Sequence, residues 1–382
     1  MSEKVRFGIM GCGPRGMQMA RIAKLLPDCC LLTAMSDPDE NALAKAGEAF
    51  PEIKLFRSSD ELLDSKLVDA VITEIPPAVH TEYVGKALDR GIHVLGEIPC
   101  VDSLEEADFL WRKVNASKAL YMCGSNPNYR AKTQLILKLR DMGLLGRIAY
   151  IETEYVHGTG DPVQKESWRN AYESCRYCTH SLGPVLALTG EDFTAVSCMS
   201  TYDRLNNGRA HNAMASLLHT KDNLVVRFLA AFGVPTYGPQ HTTRIFAEKA
   251  HVLLYNQKAR IWFKGLNEYS AGNDWLEIPL TPEGSSRPAG LPILDEEIFR
   301  AAHYGHNGSD NLMLRDFAEA ILNGKPSPLG IREGLAMTLP GIYAAQSARL
   351  DGQRVSIHYP WEKEFSADIV SIEHNIPGKK QA

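Results

Sequence analysis

Two short segments of this chain carry residue types whose spacing suits chemistry. In Arg176-Tyr177-Cys178-Thr179-His180 a tyrosine and a histidine stand three residues apart. If the segment is helical they share one face and can address neighbouring atoms of one small substrate. Histidine suits a proton carried near neutral pH. A phenol, with an ordinary pKa near roughly 10, becomes a base only beside a cation or strong hydrogen-bond donors. Without further context the same two residues would serve equally as a packing aromatic and a helix-end hydrogen bonder.

The second segment is Gly11-Cys12-Gly13-Pro14-Arg15-Gly16, lying between an apolar run and a helical pattern. Its three glycines fit a tight turn, room for a pyrophosphate and close helix-to-strand packing, with helix N-terminal amides turned to the phosphates. Asp37 stands 21 residues after Gly16, at the end of the next apolar run. A carboxylate there accepts from a ribose 2′-hydroxyl and repels a 2′-phosphate, which favours NAD over NADP. Asp37 also precedes Pro38 and would suit a plain turn.

The elements that must position these groups change character along the chain. Residues 5–10, 31–36, 53–56, 69–75, 92–97 and 119–124 are short apolar runs, separated by helical patterns at 39–49, 77–90 and 103–117. That rhythm predicts βαβ units and a parallel sheet covered on both faces. A helix is expected over 133–143. Longer alternating strands are expected over 147–157, 213–220, 223–233, 243–256 and 259–265, which predicts an antiparallel sheet with one open face. Residues 270–305 read as a long surface loop, and 309–325 and 331–352 as two late helices. The fold class expected is α/β in two parts: a Rossmann domain over 1–125 and a substrate domain over 126–382.

Composition bounds the function. At 382 residues, 44% hydrophobic and 23% charged, the chain has the make-up of a two-domain globular protein. A net charge of −5 gives no footprint for nucleic acid or a membrane surface. No run is long enough to span a bilayer and no export signal is read, so a cytoplasmic location is expected. The eight cysteines are scattered as reduced thiols would be, and the single Cys175-x-x-Cys178 pair is a weak metal signal, so no metal is expected.

The segments "GIMGCGPRG" and "TEIPPAVHTEYVGKALDRGIHVLGEIPC" resemble the glucose–fructose oxidoreductase / inositol dehydrogenase / MocA superfamily. The resemblance covers nearly the whole chain and implies a C-terminal α/β domain on an open, mostly antiparallel sheet. It implies cofactor contacts from Gly11, Cys12, Gly13, Pro14, Arg15 and Gly16, from Asp37, Ile75, Pro76 and His80, and from Glu97, Asn126, Trp168 and Arg169. Most members are sugar or polyol dehydrogenases with Glu-Lys-Pro where this chain has Glu97-Ile98-Pro99. The NAD-dependent glycoside hydrolases of family 109 typically have Glu-Val-Pro there. They follow it with Asn-x-x-Tyr, Tyr-x-Thr-His-x-x-Gly-Pro and Gly-His-x-Gly-x-Asp. This chain matches in order with Asn126-Pro-Asn-Tyr129, Tyr177-Cys-Thr-His180-Ser-Leu-Gly183-Pro184 and Gly305-His306-Asn-Gly308-Ser309-Asp310. It departs in being shorter and in having Ser309 before the aspartate. The NAD-dependent sulfoquinovosidases are similar too.

The resemblance implies glycoside cleavage without net oxidation: transient oxidation at sugar C3, deprotonation at C2, elimination at C1, then water addition. It assigns His180 to the C3 hydroxyl and Tyr177 to C2. Glu97 binds nicotinamide, orients His180 or assists at C1, and Tyr129 and His306 contact the sugar. An anionic sugar such as a sulfoquinovoside calls for cations, for which Lys165, Arg169 and Arg176 are candidates. An N-acetylhexosaminide is the other candidate substrate. An ordinary NAD-dependent dehydrogenase remains the alternative, and a non-catalytic NAD sensor a third. An open sheet face leads to the expectation of a homo-oligomer, dimer or tetramer.

Overall fold

In the computed structural model, which describes residues 4–157, 172–205, 210–234, 236, 239–255, 258–265, 275–280 and 305–367, the first six apolar runs are parallel strands. They are β1 (Val5–Met10), β2 (Cys30–Ser36), β3 (Lys54–Phe56), β4 (Ala70–Thr73), β5 (His93–Gly96) and β6 (Tyr121–Cys123). Five helices connect them: α1 (Pro14–Lys24), α2 (Glu40–Ala49), α3 (Ser59–Asp64), α4 (Pro77–Asp89) and α5 (Leu104–Ala116). Side chains of Asp39, Ser58 and Ser103 cap the starts of α2, α3 and α5, which fixes where those helices begin. The strand order is β3-β2-β1-β4-β5-β6. It reverses between β1 and β4, and the crevice beyond their C-terminal ends is where such a sheet binds ligands.

After α6 (Ala131–Asp141) a second, mixed sheet begins with β7 (Ile148–His157). A single 3-10 turn over Ser174–Tyr177 leads into α7 (Thr179–Thr189). Then come β8 (Phe193–Ser200), β9 (Met214–Thr220), β10 (Val225–Ala231), β11 (Pro239–Gln240), β12 (Thr243–Ala247), β13 (Ala250–Tyr255), β14 (Lys258–Phe263) and β15 (Leu276–Pro279). Helices α8 (Ser309–Leu322) and α9 (Ile331–Arg349) and the short strand β16 (Val355–Ser356) complete the described chain. The order is β15-β14-β13-β12-β7-β10-β9-β8-β16, with β11 beside β7. β7 and β10 pair in parallel and the other neighbours are antiparallel. On β8 and β9, Met199 and Leu217 project from the uncovered face to which the expectation of a homo-oligomer refers.

The structure corrects the reading in three places. Within the expected 243–256 strand, residues 243–255 are a hairpin, with Thr243 opposite Leu254. The amides of Glu248 and Lys249 donate to the carbonyls of Arg147 and Leu145, which turns the chain there. The phase of burial shifts across this turn, from odd Ile245 to even Val252 and Leu254, and that shift is the missed signal. Residues 276–279 form an edge strand within the expected surface loop. Phe193–Ser200 is a strand that the reading passed over.

Helix α8 packs against the nucleotide-binding sheet although it lies far along the chain. Met313, Leu314 and Phe317 are buried with Phe7, Met19 and Ile22, and the Phe7 and Phe317 rings lie 6.2 Å apart. Helix α9 is buried on nearly all sides and packs against β8 and the Ser174–Tyr177 turn. Truncating Phe317→Ala is expected to lower the unfolding free energy by about 3–5 kcal/mol, read from the denaturant midpoint. A loss below about 1 kcal/mol would mean that α8 adds little to the nucleotide-binding core.

Candidate active site

The glycine loop follows from backbone geometry. Gly11 has φ +101°, and a Cβ there would stand 2.2 Å from the Glu74 carbonyl oxygen. A Cβ on Gly16 would stand 1.9 Å from the Gly11 carbonyl oxygen, so α1 crosses the loop closely. Gly13 has open space where its Cβ would be. Pro14 starts α1 and no side chain caps its first turn, which leaves the helix amides for an anion. Asp37 Oδ2 accepts from the Cys12 amide at 2.7 Å and Oδ1 from the Asp39 amide at 2.8 Å. A carboxylate has lone pairs beyond these two for a ribose hydroxyl. Burial, with Asp37 beside it, pushes the Cys12 thiol up to about 12. These residues fit a dinucleotide: an open face at Gly13, free amides and a fixed carboxylate.

Arg15 joins three carboxylates at the mouth of the crevice. Its Nε donates to Glu97 Oε1 at 3.1 Å, and its two terminal nitrogens donate to Asp310 at 2.7 and 3.0 Å. Glu74 Oε1 lies 3.7 Å from Nε. Burial would raise the Asp310 carboxyl, but hydrogen bonds from His306 and Arg15 hold it down at about 2. Burial and the neighbouring Glu97 charge push Glu74 well above the usual carboxylate range. His306 Nδ1 donates to Asp310 Oδ2 at 2.7 Å. The turn that presents it has three left-handed residues in succession, His306, Asn307 and Gly308.

Behind Glu97 lies a buried relay. The Glu97 amide donates to Thr73 Oγ1 at 3.2 Å, and Thr73 Oγ1 hydrogen-bonds His80 Nε2 at 2.7 Å. Burial lowers the His80 pKa to about 4, so its ring is neutral. His80, expected at the cofactor, thus braces the Glu97 turn from inside the fold. Ile98 is 5% exposed and belongs to the apolar core.

Across the crevice is a cavity of about 270 Å³ lined by Arg130, Lys132, Tyr155, His157, His180 and His241, with His306 at its edge. Tyr155 of β7 is the hub of its wall: its ring lies 4.7 Å from His180, 5.4 Å from Tyr177 and 4.6 Å from His241. The Tyr177 and His180 rings stack at 4.9 Å. Tyr177 ends the 3-10 turn and His180 stands in the first turn of α7, so the pair shares a face across a helix junction. Burial lowers the Arg130 pKa, opposed by Tyr155, Asp310 and Tyr177. Burial and the Arg130 charge bring Lys132 down to about 7. Lys132 Nζ donates to the His241 carbonyl at 2.9 Å. The same burial and cations push His241 down to about 2.

Several expected contacts lie elsewhere. Tyr129 packs on the nucleotide-binding core, and burial together with Asp316 raises its pKa well above the ordinary value, so it stays a phenol off the cavity wall. Arg176 donates to Asp102 Oδ1 at 2.6 Å and to the Asp102 carbonyl, and lies over the Tyr172 ring. It ties the 3-10 turn to the segment before α5 and reaches no substrate wall. Asn126 is buried and its Oδ1 accepts from Arg130 at 3.3 Å. Ile75 and Pro76 follow β4 at the crevice edge. Lys165, Trp168 and Arg169 lie outside the described residues. Cys175 and Cys178 are buried thiols facing carbonyls of α9. The reading missed Glu74, Arg130, Lys132, Tyr155 and His241. Glu74 follows the β4 strand at a ligand-binding edge, which position alone marks. Arg130 and Lys132 flank a helix start and read as a solvated face.

Comparison with known proteins adds a family and a fold. Residues 5–125 match the model of an oxidoreductase family described as GFO_IDH_MocA, NAD-binding Rossmann fold. A glycosyl hydrolase family 109 protein of Solibacter usitatus is 28% identical over 88% of this chain and 84% of its own. An alpha-N-acetylgalactosaminidase of Tannerella forsythia is 22% identical over 87% of this chain and 81% of its own. Among solved structures, levoglucosan dehydrogenase in complex with NADH and levoglucosan is 17% identical with a TM-score of 0.79, covering 93% of this chain and all of that one. At that identity the likeness concerns the fold.

Two predictions follow from this geometry. Gly13→Ala should cost less than about 1 kcal/mol of stability but weaken NAD at least roughly tenfold by calorimetric titration, because only the cofactor needs the open space. The second concerns His80, whose folded pKa lies below its unfolded value, so the unfolded chain takes up the proton first. Its contribution is whole above about pH 6.5 and is lost as the pH falls toward 4, by about 3 kcal/mol. Urea unfolding across that window should therefore decline less steeply for His80→Gln than for the wild type.

Proposed function

We propose that this chain, whose N-terminal domain belongs to the Gfo/Idh/MocA family of NAD-binding Rossmann oxidoreductases, is an enzyme that cleaves a small glycoside with no net oxidation. One observation carries the reading. Two proton-handling rings, Tyr177 and His180, stack beside the cavity, His180 on its wall and Tyr177 buried against it, while the residue after Glu97 is a buried isoleucine and not an acid–base group. The Gly11–Gly16 loop and Asp37 would hold NAD, which would supply reversible hydride transfer at sugar C3 with no net oxidation.

The chain's own residues manage protons. His180, half-buried and within reach of solvent through the cavity, takes the C3 hydroxyl proton. The C3 ketone acidifies the neighbouring C–H, and Tyr177 takes the C2 proton. Arg130 acts electrostatically on Tyr177 and Tyr155, and supplies the positive charge that a phenolate requires. Glu97, fixed by Arg15 and by the Thr73–His80 relay, stands at the crevice to assist the leaving group at C1. Elimination across C1–C2, then water addition, completes cleavage without the pair of carboxylates an ordinary glycosidase sets across the bond.

The coverage of the family 109 relatives over most of the chain supports this reading. Candidate substrates are an N-acetylhexosaminide, in line with the relative named alpha-N-acetylgalactosaminidase, and a sulfoquinovoside. A second reading, an NAD-dependent sugar or polyol dehydrogenase, has the shared fold of levoglucosan dehydrogenase in its favour, with His180 alone as acid–base group.

The test is a proton NMR time course in deuterated water with substoichiometric NAD and a panel of glycosides. Free sugar carrying deuterium at C2, without lasting NADH, is the expected result. NADH accumulating one-for-one with an intact oxidised glycoside would establish the dehydrogenase instead. Tyr177→Phe should slow aglycone release at least about a hundredfold yet still produce an NADH absorbance burst in a single turnover.

A further inference from the structure

The acids around Arg15 outnumber what its guanidinium binds. Arg15 Nε carries a single N–H and gives it to Glu97 Oε1 at 3.1 Å, while Glu74 Oε1 stands 3.7 Å from the same nitrogen. The terminal nitrogens donate to Asp310 and to Gln18. Glu74 is thus the acid of this cluster that lies beyond hydrogen-bond distance of Nε, and its side chain is only 3% exposed. The charges that act on it are Glu97, Arg15 and Asp310, two anions against one cation. Arg130 acts on Asp310 and Arg15 from the cavity side, and His306 donates to Asp310. Burial and the Glu97 charge therefore favour a proton on Glu74. A glutamine would fill the same space without that electrostatic cost, so an ionisable group here calls for a positive charge that it meets only part of the time.

The topology says which charge. Asp37, after β2, is placed for the adenosine ribose, and the glycine loop after β1 for the phosphates. In the strand order β3-β2-β1-β4-β5-β6, the other half of a dinucleotide then extends over β4 and β5. Glu74 directly follows β4, and Glu97 directly follows β5. The backbone of Glu74 is fixed there: its amide donates to the Met10 carbonyl at 2.8 Å, and its carbonyl lies against Gly11. The nicotinamide ring at that end of NAD is a cation when oxidised and neutral when reduced.

We propose that Glu74 is the counter-charge of the oxidised nicotinamide, releasing a proton to solvent as NAD+ binds and taking one up as a hydride neutralises the ring. The step balances: an alcohol that becomes a ketone yields one hydride and one proton, the ring takes the hydride, and the Glu74 carboxylate takes up one proton. The cluster then favours NAD+ over NADH, which lowers the potential of the bound pair and makes the reduced cofactor the readier hydride donor. The inference needs only the NAD site and holds whether the sugar is cleaved or oxidised.

Calorimetric titration of nucleotide-free protein with NAD+ and with NADH, in buffers of different ionisation enthalpy, reads both affinity and protons. Near neutral pH, NAD+ is expected to release at least about half a proton more than NADH. Affinity for NAD+ should rise with pH over the range in which Glu74 ionises, and affinity for NADH should not. Glu74→Gln keeps the shape of the protonated acid. It should abolish the difference in proton release and cut the preference for NAD+ roughly tenfold, which is about 30 mV in the potential of the bound pair. A thermal melt checks the fold of the variant, and the wild-type proton count stands without it. Equal proton release for the two cofactors in the wild type, or an equal loss of affinity for both in the variant, would overturn the inference and leave Glu74 a structural neighbour of Arg15. Neither readout involves a sugar, so failure of the glycosidase reading would leave the inference standing.

Discussion

The Arg15 guanidinium is the constraint on which the site depends. It sits on the second residue of α1, and bonds in one plane to Glu97 after β5 and Asp310 of α8, with Glu74 after β4 close by. Four segments remote in sequence are thereby fixed to one charge. Asp310 also accepts from His306, whose ring edges the cavity, so the glycine loop and the cavity wall form one electrostatic unit. Withdrawing the cation would leave a fully buried Asp310 with His306 alone as its side-chain donor, and breaking a buried ion pair costs about 3–5 kcal/mol. With it in place, the loop glycines set the backbone and Arg15 sets what faces it.

The sequence conveyed local elements well where local physics decides them. Strands β1 to β6 and their helices were legible because apolar runs, serine and aspartate caps and glycine turns all agree within a dozen residues. The β12–β13 hairpin was not, because two exposed residues turn the chain by bonding to a distant segment at 145–147. The site divides the same way. Gly11, Gly13, Gly16 and Asp37 lie within a contiguous βαβ unit, and their arrangement follows from that unit. Tyr155, His241, Lys132 and Arg130 come together only when β7, the segment before β12 and the start of α6 meet, and no spacing within the chain encodes that meeting. His80 illustrates the limit from the other side: its position in the chain is regular, but its ring points inward to Thr73.

The two ends of the crevice are electrostatic opposites. On the nucleotide side one guanidinium is surrounded by three carboxylates, and Arg15 with His306 holds Asp310 low. On the far side Arg130, Lys132 and four histidines share an aromatic wall without a carboxylate among the described lining residues. A substrate of the proposed kind, lying between them, would meet a gradient in potential along its length.

Ile98 bears on where the proposed proton chemistry can sit. Its side chain is 5% exposed and buried in the apolar cluster with Cys100 and Val101, and it is absent from the cavity wall. Replacing it by lysine in place would bury an ammonium among thiols and aliphatic groups, where it would shed its proton or distort the turn. In the proposed reaction Glu97 is then the proton-handling group on that side, and the groups for C2 and C3 come from α7 across the crevice. The stacking of Tyr177, His180 and Tyr155 then has a use beyond packing: rings in mutual contact have few rotamers left, and a base must be held still to favour one carbon over its neighbour.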